Sequence, residues 1–362
     1  MFEKYKLFVL LIVFGWISAG ISNAQQSGSC GENLKWNFDS STGKLEISGK
    51  GNMEEGSMPW SNFKSTIHSL SLEDGITSIS QRAFQECRVL KNLNIPNSVT
   101  YIGSLAFADC DELESVNIPN ALTRIKEGVF ASCESLKSVN IPNSVTIIEM
   151  TAFAQCIGLK SVVIPNSVTY IGDIAFKDCI GLTSVVISNS VTHIGNLAFR
   201  GCTGLTSVTI PGSVITLGVG VFYKCENLSE INIDTGNQYY SSINGVVYNK
   251  EKTTLIKCPE GKEGSLIIPN SVNTIENGAL SQCVGLLSVT IPNSVTKIEP
   301  FAFGGCIGLQ EIINHAITPQ EDDKIFSNVD KTKCVLRVPE NSLAEYRNAE
   351  GWKEFERIEG IK

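Results

Sequence analysis

Twelve cysteines and three histidines are the residues of this 362-residue chain best suited to thiol chemistry, metal binding or proton transfer. Their spacing decides which of these is available. Cys87, Cys110, Cys133, Cys156, Cys179, Cys202 and Cys225 recur every 23 residues, and Cys283 and Cys306 resume the step. Metal ligands must surround an ion, whereas stacked equivalents stand in single file, so the column predicts no metal site. Disulfides fit no better, because residues one strand spacing apart hold their Cβ atoms parallel rather than converging. The column instead predicts nine buried thiols acting as small hydrophobes. Cys30, Cys258 and Cys334 lie off the ladder, and whether they pair is left open. His68, His193 and His315 have no spacing that singles out a catalytic triad. No G-x-S-x-G, H-E-x-x-H, C-x-x-C or glycine-rich phosphate loop is present. The chain is therefore expected to be non-enzymatic, without metal or cofactor.

The elements that carry these cysteines are copies of one unit. Aligned on the cysteines, the chain reads L-x-x-V-x-I-P-N-S-V-T-x-I-G-x-x-A-F-x-x-C, with an Ile-Pro pair in most copies and a phenylalanine column from Phe84 to Phe303. Ser188 replaces the proline once, and Leu280 replaces the phenylalanine once. Ordering one unit costs more backbone entropy than its own few apolar side chains recover on burial, so a unit is stable only against its neighbours. A solenoid follows. The alternation in "VNI" and "VVI" predicts a short strand with one side inward, ended by proline, which cannot donate to the ladder. Asn-Ser begins a turn, glycine allows a tight bend, and "AFxxC" is expected to make a short helical or irregular convex turn.

These units resemble the Treponema/BspA-type leucine-rich repeats of bacterial surface proteins. The resemblance continues into "CGENLKWNFDSSTGKLEISGKGNM", which looks like that family's N-terminal cap, and "CVLRVPENSLAEYRNAEGWKEF", which looks like its C-terminal cap. It implies a curved, right-handed array with short parallel strands on the concave face, a β-hairpin cap in front and a strand–helix cap behind. The expected divisions are a signal peptide at 1–24, a cap at 25–66, repeats at 67–317 and a degenerate last repeat with its cap at 318–362. Within the repeats, "GVVYN" and "TTLIKC" predict a hairpin insertion at about 234–264, budding from the array. In the last cap, Asn341 is placed to cap a short helix that presents Leu343 and Tyr346.

Two columns are candidate partner surfaces, since they vary while the scaffold repeats. The outward strand column includes Val163 and Val186, a mild apolar centre in a row of serine, asparagine and threonine. The x of "VTxIG" holds Tyr101, Arg124, Ile147, Tyr170, His193, Thr216, Thr274 and Lys297. Tyrosine and arginine are enriched at interface hot spots. The bland reading of the same variety is a solvent-facing position that tolerates any residue.

The ends and totals set the setting. Lys4 and Lys6 precede an apolar run at residues 7–21 and then "SNAQQ", the pattern of an export signal cut after Ala24. No second long apolar run appears, so no membrane span is expected once the signal is removed. A net charge of −8 with no basic stripe argues against nucleic acid. The resemblance implies adhesion or host-protein binding, with a protein or glycan ligand, host extracellular matrix included, for a secreted or surface-held monomer. A periplasmic scaffold that captures glycan or assembles other proteins is the alternative.

Overall fold

The structure, a computed structural model, describes residues 26–321 and 324–361. The expected signal segment lies outside these residues. The rest forms a solenoid in which each 23-residue unit is one coil, stacked in register on the next. Ser115–Asn117, Ser138–Asn140, Ser161–Ile164 and Ser184–Ile187 pair in parallel, serine against serine and Val163 against Val186. Val116, Val162, Ile164 and Ile187 point in and are buried, while the serines between them are exposed. Proline follows each of these strands except Ser184–Ile187, where Ser188 stands, and Val145, Val168 and Val191 of the following turns return to the core.

The "VTxI" segment does more than return inward, as the sequence alone suggested. It forms a second line of two-residue parallel strands: Arg124–Ile125, Ile147–Ile148, Tyr170–Ile171, His193–Ile194 and Thr216–Leu217. Such short strands give no period-two run to read, so their pairing was invisible before the coils were stacked. The glycine that follows is not a bend residue either. A Cβ on Gly103, Gly172, Gly195 or Gly218 would lie 2.4–2.7 Å from backbone of the preceding coil, so glycine serves close stacking.

The "AFxxC" turn contains no helix. Its backbone N–H groups cross to the next coil, as in Phe107 N–H to Val129 O at 3.0 Å and Phe176 N–H to Ala198 O at 2.8 Å. The sharp corners are left-handed residues flanking "AF", such as Thr151 (φ 54°) and Gln155 (φ 61°), replaced in some coils by glycines such as Gly128 and Gly201. Inside the turns, Phe84, Phe107, Phe130, Phe153, Phe176, Phe199 and Phe222 stack with centroids 5.2–5.9 Å apart. That spacing exceeds the roughly 4.8 Å between strands, in keeping with coils that fan apart on the convex side.

At the front, Gln26–Gly31, Leu34–Asp39 and Lys44–Gly49 form an antiparallel sheet that hands over to the parallel strand Ser69–Leu72. Trp60 starts the aromatic stack at 5.3 Å from Phe84 and donates its Nε1–H to Ala83 O. At the back, Val335–Val338 and Arg357–Gly360 continue the first line of strands, with Trp352, Tyr346 and Phe355 closing the core. The cap helix is a 3₁₀ turn, Glu340–Ser342, running into Leu343–Tyr346. No side chain caps either piece, so the role expected of Asn341 is not filled. Tyr346 is fully buried there, and Leu343 half-buried.

The insertion does not bud outward. Tyr240–Ile243, Val246–Asn249 and Thr254–Lys257 form an antiparallel ribbon whose last strand pairs in parallel with Thr274–Ile275. Val246 packs into the core behind it and Val247 into the core before it, both fully buried. A strand apolar on both sides cannot project into water, so the ribbon sits between two stretches of array as a spacer. Asn237 fastens its start, donating to Pro211 O (3.0 Å) and Val214 O (2.9 Å) and accepting from the N–H groups of Tyr239 and Tyr240.

Candidate functional site

The thiols come first, because they carry the strongest sequence pattern. All twelve cysteines are buried and free. From Cys110 to Cys225 each ladder Sγ–H points at the phenylalanine carbonyl of the coil before it: Cys133 to Phe107 O at 3.3 Å, Cys156 to Phe130 O and Cys179 to Phe153 O at 3.1 Å. Burial pushes the Cys87, Cys179 and Cys225 thiols up to about 12, and Cys133 and Cys156 well above the usual range. Thiols held protonated this way are poor nucleophiles. Cys258, read as off the ladder, stands in the phenylalanine column instead: its N–H goes to Ala279 O at 2.7 Å and its carbonyl lies 3.7 Å from Cys283 Sγ, the two contacts that phenylalanine makes in other coils. Among the described residues no group of three or more His, Cys, Asp or Glu is placed to hold a metal ion.

The variable column forms the more promising surface. Register places Arg124 beside Ile147, Ile147 beside Tyr170, Tyr170 beside His193 and His193 beside Thr216. Because the inner residue of each two-residue strand is a buried isoleucine or the half-buried Leu217, the outer one stands toward solvent; Tyr170 is 40% exposed. Arg124, Ile147 and Tyr170 border a shallow hollow of about 370 Å³ completed by Glu149, Met150 and Asp173. Arg124 Nη1 lies 3.5 Å from Glu149 Oε1, and the His193 ring lies 6.1 Å from that of Tyr170. The hollow thus offers a cation, two carboxylates, an aromatic edge and an apolar floor, but no enclosed chamber.

The other candidates lie elsewhere. Tyr101 pairs with Ser78 in a separate three-stranded sheet, its ring under Lys126 Nζ at 4.7 Å. Lys297 stands beyond the insertion beside Thr274 and is engaged with Glu299 at 2.8 Å. Val163 and Val186 are 60% and 54% exposed, but on the first line of strands. The two candidate columns are therefore carried by two different sheets. Glu149, Met150 and Asp173 were missed by the column reading. A signal existed, since Glu149 breaks the glycine column that follows "VTxI".

Likeness to known proteins agrees with this architecture. The BspA type leucine rich repeat region matches in six copies over residues 60–183, 169–263 and 260–344. A leucine rich cell surface protein from Faecalibacterium prausnitzii A2-165 is similar in structure, with a TM-score of 0.56 and 25% identity over 94% of this chain and 96% of that one. A leucine-rich repeat protein from Bacteroides ovatus ATCC 8483 shares the fold at a TM-score of 0.57 and 22% identity, over 91% of this chain and 90% of that one. The pneumococcal vaccine antigen PcpA does so at 0.55 and 18%, over 93% and 85%. No curated protein matches the chain. With its repeats, turns and coil register all of one kind, the chain belongs to the BspA-type leucine-rich repeat family.

Proposed function

We propose that the chain is an exported, non-enzymatic recognition module that binds a protein ligand at a cell surface, through the exposed column of the second line of strands. The observation that carries this reading is the contrast within one molecule. Buried positions repeat almost unchanged from coil to coil, whereas Arg124, Ile147, Tyr170 and His193 differ while standing side by side. A mixed polar and apolar hollow suits a folded partner's side chains better than a small substrate, which needs a deep pocket. The cell-surface description of the F. prausnitzii protein supports the location. So does the sequence pattern of residues 1–24.

A second reading has its own observation. The first line of strands presents exposed Ser115, Ser138, Ser161, Ser184 and Ser207 in a flat, uncharged row, suited to a glycan held by a periplasmic or surface scaffold. Protease shaving of intact producing cells separates a surface location from a periplasmic one, with a periplasmic marker as control. Digestion with the marker intact is expected. Protection until the envelope is opened would sink the surface reading. For a captured protein ligand, Arg124→Ala and Tyr170→Ala should each weaken binding about tenfold, the usual scale for such anchors. Unchanged affinity in both would displace the site from this column.

A further inference from the structure

Parallel Cβ atoms argue against disulfides only between cysteines that share a column. Cys258 and Cys283 do not share one. The inserted coil is two residues short: Leu255 pairs with Ile275, and Cys258 N–H reaches Ala279 O at 2.7 Å. Cys258 therefore stands level with Leu280, in the column that holds phenylalanine in most other coils. Cys283 keeps the ladder position, where a thiol faces the phenylalanine-column residue of the coil before it. Only here is that residue a second cysteine.

The two thiols converge on one atom. Cys283 Sγ lies 3.5 Å from Pro259 O, and Cys258 Sγ lies 3.8 Å from the same oxygen. The Cys258 thiol is also in hydrogen-bond contact with that of Cys283. Both residues are fully buried. The ring stack is interrupted between Phe222 and Phe303, and a cysteine is far smaller than the phenylalanine it replaces, which leaves its Sγ room to change rotamer. Cys30 and Cys334, also outside the ladder, lie at opposite ends of the array and cannot meet.

We propose that Cys258 and Cys283 form a disulfide that fastens the inserted coil to the coil after it, while the other cysteines stay thiols. The oxidant is a small-molecule or protein disulfide, R–S–S–R, of a compartment outside the cytoplasm, so its supply in the cell rests on the reading of the chain as exported. One cysteine, as thiolate, attacks a sulfur of R–S–S–R and releases R–S⁻, leaving a mixed disulfide. The second thiolate attacks the protein sulfur of that mixed disulfide and releases the other R–S⁻. The protons lost by the two cysteines pass to the two leaving thiolates, so two protein thiols and one R–S–S–R give one protein disulfide and two R–SH. In the finished fold the hydrogen bond with Cys283 and burial both oppose the Cys258 thiolate. The exchange therefore runs while the chain folds, before the ladder closes over the pair.

The test refolds the full mature chain, reduced and denatured, in a glutathione redox buffer. Free thiols are then counted by alkylation in denaturant, and tryptic peptides are mapped without reduction. Two of the twelve cysteines should resist alkylation. Residues 258–262 should appear linked to residues 263–297, which trypsin separates by cutting after Lys257, Lys262 and Lys297. The linked chain should keep the circular dichroism of the reduced one and melt about 5 °C higher. Cys258→Ser should remove the linked peptide, and Cys110→Ser should leave it. Twelve alkylated thiols overturn the proposal. So does a link between other cysteines, a glutathione adduct without the linked peptide, or loss of native circular dichroism on linkage. Because the buffer supplies the oxidant, the result does not depend on where the chain resides in the cell.

Discussion

At Cys156 a buried thiol donates its Sγ–H to the Phe130 carbonyl at 3.1 Å, and the same arrangement recurs from Cys110 to Cys225. Its consequence is a pH limit. Burial holds the folded thiols at pKa values such as about 12 for Cys87 and Cys225, against an ordinary value of 9.0. A group whose folded pKa is raised binds its proton more tightly in the native state, so stability falls as pH climbs above the unfolded value. Each such thiol costs about 1.4 kcal/mol per pH unit above 9. Summed over the raised ladder thiols, Cys87 through Cys225 and Cys306, that is on the order of 10 kcal/mol per unit, comparable with the whole stability of a domain. Circular dichroism should show a steady native signal up to pH 8 and cooperative unfolding within about two units above 9. Thiol labelling at pH 8 should be slow until denaturant is added. A chain still folded at pH 11.5, or labelled quickly when native, would contradict the buried-thiol ladder.

At the scale of the element, the turn is held by its left-handed corners and by the N–H groups it sends to the next coil. Gln155 is exposed and sits at φ 61°, in a column where other coils use Gly201 and Gly305. A β-branched side chain is strained in that conformation, and glycine is not. Gln155→Val should therefore cost about 1–2 kcal/mol in a denaturant melt, while Gln155→Gly stays within about 0.5 kcal/mol of the parent. Equal effects of the two would mean that the corner is not locked. The corners themselves could not be read from the residues. Thr151, Ile174 and Leu197 occupy the first of them, and none of these types favours a positive φ. The hydrogen bonds to the next coil impose it.

For the whole molecule the question is whether coils are interchangeable parts. Removal of residues 138–160, one complete unit, joins Asn117's coil directly to Ser161's without changing register, because Ser115, Ser138 and Ser161 are successive rungs. Nearest-neighbour stacking predicts a folded protein with an unaltered circular dichroism shape, less stable by a few kcal/mol. Removal of residues 237–258 is different, since Val246 and Val247 serve both cores and Asn237 ties four backbone groups. That variant should lose cooperative unfolding, seen as two separate transitions. A single sharp transition after the second deletion would show that the ribbon is not the joint between the two stretches of array.

The sequence by itself determined the solenoid, its period and its inward columns, because a 23-residue unit repeated at this fidelity leaves burial against its own copies as the only stable use of its apolar residues. The same logic exposed Arg124 and Tyr170 as letters that vary on a constant scaffold. Tertiary structure alone decided how those letters are grouped. The second line of strands exists only once coils stack, since two residues per coil make no strand until a neighbour pairs with them. That stacking brings Arg124, Ile147 and Tyr170 together, yet leaves Val163 and Val186 on another sheet. Only the stack, too, reveals that the inserted coil is two residues short and carries Cys258 where other coils place phenylalanine. The residues there are ordinary, and what is missing is measured against the turns on either side.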